Sequence, residues 1–265
     1  MTISAPDPYI LPELGNGYPQ GNQASGGRTL VSKPLVGGER TAVYLTLGHS
    51  LMSNTVNSLY SVTQAKNQNF NVYDGGCYAT VEPLLGCQIN TAQPASGCFF
   101  SRAGDVLIGG GNLDRFVHAP IAVGGSVVAD WAAGGAVNGR ILPAHRRLVD
   151  TGLTPTGIVV FLGANDHTTT QAVATVGYQS IISTIRGFTA APIYIVRHSL
   201  FALVSKPNLL AAQAAVLDAG NAVYTGGDLE TGFVSSSLYW DDTHYNATGA
   251  AAASTVVASA LAARL

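Results

Sequence analysis

Short apolar runs alternate with longer stretches of helical periodicity along most of this chain. Ala42–Leu47, Val117–Val123, Ile158–Leu162 and Pro192–Val196 are apolar almost throughout and have the length of buried strands. Each gives way at once to small or polar residues: Gly48-His49-Ser50, Gly124-Gly125-Ser126, Gly163-Ala164-Asn165-Asp166 and Arg197-His198. Between them lie helical segments. Thr169–Arg186 carries Ala172, Val176, Ile181, Ile182 and Ile185 near helical spacing, and Lys206–Ala219 has Ser205 as a cap and Pro207 in its first turn. The Ala-rich segment Ala247–Leu265 closes the chain. Strands without in-and-out alternation, interleaved with helices, predict an α/β fold with a parallel sheet covered on both faces.

Residues 1–38 break this pattern. They are rich in Pro, Gly and Asn without sustained periodicity and read as an extended leader that wraps the rest. Residues 39–265 show no repeat and no linker, so they read as one domain.

Composition narrows the function classes. Apolar residues make up 47% and charged residues only 11%, so small polar groups rather than ions cover the surface. A net charge of −2, with Arg146-Arg147 as the densest basic run, excludes a nucleic-acid footprint. No apolar run approaches the roughly 18 residues of a membrane span. Met1 to Gly38 has no basic start followed by an apolar run, so no secretory signal is visible and the compartment stays open. Cys77, Cys87 and Cys98 are an odd set; Cys87 and Cys98 either staple the polar segment between them or remain thiols.

In open α/β sheets, ligands bind beyond the carboxyl ends of the strands. Three strand ends here offer a serine, a pair of glycines and an amide, and a fourth cluster, Asp241-Asp242-Thr243-His244, precedes the last helix. Acyl transfer requires such a set. A serine needs a base, and a carboxylate three residues before His244 can fold back onto its second ring nitrogen. Negative charge on the carbonyl oxygen needs fixed donors, which the Ser50 and Gly125 N–H groups and the Asn165 amide can supply. Asp242 competes with Asp241, and Gly124 with Gly125. His49 and His167 flank the presumed site, and with Gly124 and Asp166 they are candidates for a substrate pocket. His118, His145 and His198 lack metal-site spacing. Gly109-Gly110-Gly111 lacks the Lys-Ser/Thr of a phosphate loop, and Gly48-x-Ser50 lacks the closing glycine of a nucleophile elbow.

Across residues 41–250 this set resembles the SGNH (GDSL-like) hydrolases. Gly48-His49-Ser50 resembles their Gly-Asp-Ser or Gly-Gln-Ser block, Gly125 their glycine block, Gly163-x-Asn165-Asp166 their Gly-x-Asn-Asp block and Asp241-x-x-His244 their Asp-x-x-His block. Gly48-His49-Ser50-Leu51-Met52-Ser53-Asn54, Asp74-Gly75-Gly76-Cys77-Tyr78, Pro83-Leu84-Leu85-Gly86 and Val123-Gly124-Gly125-Ser126 with Trp131 resemble the branch of sialate O-acetylesterase-like and acetylxylan-esterase-like proteins. Two departures stand out: His49 replaces Gln or Asp, and Gly163-Ala164-Asn165-Asp166 replaces that branch's Gln-Gly-Glu-x-Asp. The resemblance implies a flavodoxin-like three-layer α/β/α sandwich with about five parallel strands. It further implies a serine esterase without metal or cofactor, acting on a small-molecule or glycan ester, with Ser50, His244 and Asp241 catalytic and the Ser50 amide, Gly125 and Asn165 as oxyanion hole. Short acyl esters, with acetyl on carbohydrate foremost, are the expected substrates. A broader aryl or alkyl esterase, a lipase or thioesterase, and a glycan-binding module without turnover are the alternatives. Oligomeric state is left open.

Overall fold

A computed structural model describes residues 21–90 and 95–265. Among these residues seven strands form one sheet: β1 (Thr41–Gly48), β2 (Asn67–Phe70), β3 (Cys77–Ala79), β4 (Arg115–Pro120), β5 (Gly157–Phe161), β6 (Ile193–Arg197) and β7 (Val223–Asp228). Their order is β3-β2-β4-β1-β5-β6-β7, and every pairing except β2 with β3 is parallel. The five strands β4-β1-β5-β6-β7 follow the 2-1-3-4-5 order of flavodoxin-like sheets. They match the expected count, and the β2–β3 pair extends the sheet beyond β4. β2 escapes a hydrophobic reading because its sequence is Asn-Gln-Asn-Phe. Its Asn69 instead binds backbone, accepting from Leu85 N at 2.7 Å and donating to Leu85 O at 3.1 Å and His118 O at 3.2 Å.

Six helices among the described residues cover the sheet: α1 (Phe99–Gly109), α2 (Val128–Trp131), α3 (Ile141–Asp150), α4 (Gln171–Arg186), α5 (Pro207–Ala215) and α6 (Ala247–Ala262). Within β1, side chains alternate between two cores. Val43, Leu45 and Leu47 pack with residues of α2, α3, α4 and α5, whereas Ala42 and Tyr44 pack with α1 and α6. β5 does the same, with Ile158 and Val160 on the first side and Val159 and Phe161 on the second. Burial on both faces explains why these strands read as unbroken apolar runs.

Local details depart from the sequence reading. β4 ends at Pro120, although Ile121 N and Val123 N still donate to Thr46 O and Gly48 O of β1. The buried face of α4 is Ala174, Tyr178, Ile181, Ile182 and Ile185, leaving Val176 exposed. α5 is shorter than expected and is preceded by Lys206, without a side-chain cap from Ser205. All three cysteines are buried free thiols. Cys87 Sγ accepts from Asn54 Nδ2 at 3.2 Å and Cys98 Sγ points at Met52 O at 3.6 Å, so of the two arrangements the thiols hold. Residues 1–20 of the leader lie outside the described residues. The described part runs along β3, with Val31 N donating to Cys77 O and Ala79 N to Thr29 O. No helix among the described residues is long and apolar enough to cross a membrane.

Candidate active site

The reversal of strand order falls at β1, so the loops leaving β1, β4 and β5 diverge around one crevice. A cavity of about 400 Å³ opens there, lined by Ser50, Ser53, Thr55, Gln88, Ile89, Asn90, Gly124, Gly125, Asn165, Phe201, Thr243 and His244. Ser50, Gly125, Asn165 and His244, expected from four separate segments, thus share one wall system. None of the lining residues is Lys, Arg, Asp or Glu.

Ser50 opens a single 3-10 turn, Ser50–Met52, directly after β1. The turn starts this close to the sheet because residue 48 is glycine: a Cβ there would stand 2.3 Å from Phe161 O. His49 caps the turn, its Nδ1 accepting from Leu51 N at 3.2 Å. The Ser50 carbonyl is held by Ser53 Oγ at 2.9 Å and Thr55 Oγ1 at 2.7 Å. Backbone at the serine is therefore fixed from both sides, while Ser50 itself reaches the cavity.

The loop between β7 and α6 clasps His244 with one carboxylate. Asp241 Oδ2 lies 2.7 Å from His244 Nδ1, and Asp241 Oδ1 accepts from His244 N at 2.6 Å and Thr243 N at 3.1 Å. A carboxylate on Nδ1 places the proton there and leaves Nε2 as the basic nitrogen. Asp242, the competing carboxylate, is exposed with φ +61° and turns the chain between them. The indole of Trp240 stacks on His244, with ring centroids 5.6 Å apart, and its Nε1 donates to Thr55 O at 3.1 Å. Thr55 thereby joins the serine turn to the histidine loop. Neither Thr55 nor Trp240 carries a sequence signal for this role, since the partners are about two hundred positions apart along the chain.

After β4, the two glycines separate in function. Gly124 N donates to Gln88 Oε1 at 2.6 Å, so its N–H is used. Gly125 has φ +76°, a left-handed conformation that glycine adopts without the strain a side chain would bring. Ser126 ties three loops together: its Oγ contacts Gly48 O at 3.3 Å and accepts from Trp131 Nε1 at 2.9 Å, and its carbonyl accepts from Asn165 Nδ2 at 3.1 Å. That bond sets the plane of the Asn165 amide, whose nitrogen carries a second hydrogen.

Three of the four pocket candidates sit behind the wall. His49 is fully buried against Phe161 and His198, with ring centroids 5.1 and 6.3 Å away. Burial, reinforced by the His198 and His244 imidazoles, holds it well below the usual histidine range, so it is neutral. Asp166 turns away from the crevice to accept from Val128 N at 3.0 Å, at the start of α2. Burial, opposed by that bond and helped by the charge of Asp130, pushes its carboxyl up to about 6. His167 stands behind Phe201, stacked on it at 4.0 Å between centroids. Gly124 alone of the four lines the cavity. Gln88, Asn90 and Phe201, which do line it, belong to segments that the sequence reading left without a role.

No family model matches the sequence, and no curated protein matches it. Solved structures do. A protein from Arabidopsis thaliana superposes with a TM-score of 0.64 at 13% identity, covering 85% of this chain and 99% of that one. A lipase/acylhydrolase from Enterococcus faecalis gives 0.51 at 12% identity, over 84% of this chain and 97% of that one. A carbohydrate acetylesterase from Xanthomonas citri gives 0.53 at 15% identity, over 84% of this chain and 56% of that one. At such identities the likeness is one of fold, and the fold is SGNH hydrolase-like.

Proposed function

We propose that this protein is a serine esterase that hydrolyses short-chain carboxylic esters, foremost O-acetyl groups on carbohydrate. The observation that carries this reading is the Asp241–His244 clasp opening onto the same cavity as Ser50, Gly125 and Asn165. In this mechanism Ser50 Oγ attacks the ester carbon and passes its proton to His244 Nε2. Asp241 holds Nδ1–H and stabilises the imidazolium that forms. The carbonyl oxygen, now negative, is received by the N–H groups of Ser50 and Gly125 and the free hydrogen of the Asn165 amide, each such donor being worth about 3 kcal/mol of barrier. His244 then returns the proton to the departing alcohol. Water attacks the acyl-enzyme by the same steps in reverse.

The lining supports this substrate class. Hydroxyl and amide side chains with one aliphatic and one phenyl group, and no fixed charge, favour a neutral alcohol carrying a small acyl group over an anionic ester or a long lipid chain. The test is hydrolysis of p-nitrophenyl acetate by the wild type, by Ser50→Ala and by wild type pretreated with a serine-directed organophosphate. We expect loss of at least roughly 1000-fold in both treated cases. Equal rates in wild type and Ser50→Ala would remove Ser50 as nucleophile. A series of acyl lengths is expected to peak at two carbons; a flat profile would replace the acetylesterase by a broad esterase.

A further inference from the structure

The strand order lays the cavity out along a line. Gly124 and Gly125 follow β4, Ser50 follows β1, Asn165 follows β5, Phe201 follows β6, and His244 comes after β7. Phe201 therefore lies on the histidine's side of the serine, away from Gln88 and the glycines. In the esterase reading, the histidine's side is where the alcohol oxygen must sit, because His244 protonates it on departure.

Phe201 is held in place by a costly turn. Its N and O pair with Val204 O and N at 3.2 and 3.0 Å, closing a two-residue turn over Ala202 and Leu203. Both residues have positive φ, +48° and +61°. Such turns favour Asn-Gly, because a side chain strains the left-handed backbone at both positions. Leu203, half-buried, packs against the core and anchors the strained segment. The His167 imidazole covers one face of the Phe201 ring, nearly parallel at 13°. Phe201 also lines the cavity, whose other lining residues include Thr243 and Asn165.

We propose that Phe201, backed by His167, is a specificity-determining platform on which the pyranose ring of an acetylated sugar stacks. The proposal rests on the esterase reading for the direction of the alcohol. Axial C–H bonds on one face of a pyranose carry partial positive charge and match the negative face of an aromatic ring. The neighbouring hydroxyl and amide groups suit the remaining sugar hydroxyls, and the absence of a cationic lining residue restricts the sugar to a neutral one.

The test compares methyl tri-O-acetyl-β-xylopyranoside with glycerol triacetate, a neutral polyol acetate lacking a ring. Phe201→Ala is expected to raise KM for the xyloside roughly 5- to 10-fold, the range of stacked aromatic contacts, and to raise KM for glycerol triacetate distinctly less. Phe201→Trp should restore the xyloside KM, which a variant damaged in folding would not. Binding of the xyloside to Ser50→Ala, followed by calorimetry, should weaken by the same factor when Phe201→Ala is added. Equal losses on both esters, or a gain on butanoyl esters in Phe201→Ala, would overturn the platform and make Phe201 an acyl-side wall. A wild type that hydrolyses no ester, yet binds the xyloside through Phe201, would remove the esterase reading and keep the platform as a glycan-binding one.

Discussion

One carboxylate does three tasks at Asp241: it fixes the His244 ring and accepts two backbone N–H groups of its own loop. Asp241→Asn keeps an oxygen for the backbone but presents an amide ambiguously to Nδ1, favouring the wrong imidazole tautomer. We expect kcat on p-nitrophenyl acetate to fall about 100- to 10 000-fold with little change in stability. Asp242→Asn should leave kcat within about 2-fold, because Asp242 is an exposed turn residue and asparagine accepts its left-handed backbone. A comparable loss in Asp242→Asn would reassign the orienting carboxylate. The spacing of Asp241 and His244 was legible in the sequence because both lie within one turn of chain, where three residues suffice to close the contact. Gln88 was not legible. Its amide fixes Gly124 from 36 positions away, and nothing local distinguishes it from any other loop glutamine.

At the level of elements, the histidine loop ends on a strong helix cap. Asn246 Oδ1 accepts from Thr248 N at 2.9 Å and Gly249 N at 3.0 Å, and its Nδ2 donates to Ser237 O at 2.8 Å. Asn246→Ala removes these bonds together with a fourth, from Nδ2 to Tyr239 O at 3.2 Å; we expect a loss of about 1–2 kcal/mol in urea unfolding at unchanged m-value. A loss below about 0.3 kcal/mol would show that the Tyr239–Tyr245 bridge and the Asp241 bonds hold the loop without the cap. Strands buried on both faces, β1, β5 and β6, were legible because burial demands continuous apolar sequence. β2 and β7 were not, since Asn-Gln-Asn-Phe and Val-Tyr-Thr-Gly-Gly-Asp owe their strand state to neighbours rather than to propensity. α1 and α3 hid for a related reason: Gly104 lies inside the one and Pro143 in the first turn of the other. Gly104 is there to admit Asn67 and Phe116, whose side chains would come within 2.7 Å of a Cβ.

Across the whole molecule, buried imidazoles govern the response to acid. His118 and His198 are held down to about 3 by burial, and His49 well below its ordinary value, whereas an unfolded histidine titrates near 6.5. As pH falls below about 6.5 the unfolded chain takes up protons that the folded chain refuses, so stability is lost. Asp166 works the other way: with its folded value near 6 and its unfolded value near 3.8, its contribution is complete below about 3.8 and disappears as pH rises through 6. His145 is lowered in the same sense and Glu82 is raised like Asp166, and the histidines outweigh the two carboxyls, so stability falls as pH drops from 7 to 5. Urea unfolding at pH 5 and 7 measures this, and Asp166→Asn should steepen the loss while His198→Leu relieves part of it. A stability independent of pH between 5 and 7 would contradict the burial of these rings. The outer strand β3 has a different bearing on the molecule. Its free side is occupied by the leader at Thr29 and Val31, so the row of amides and carbonyls that would otherwise recruit a strand from another copy is already spent. A segment without periodicity or chemistry of its own thus leaves β3 with no open edge at Cys77 and Ala79 on which another strand could pair.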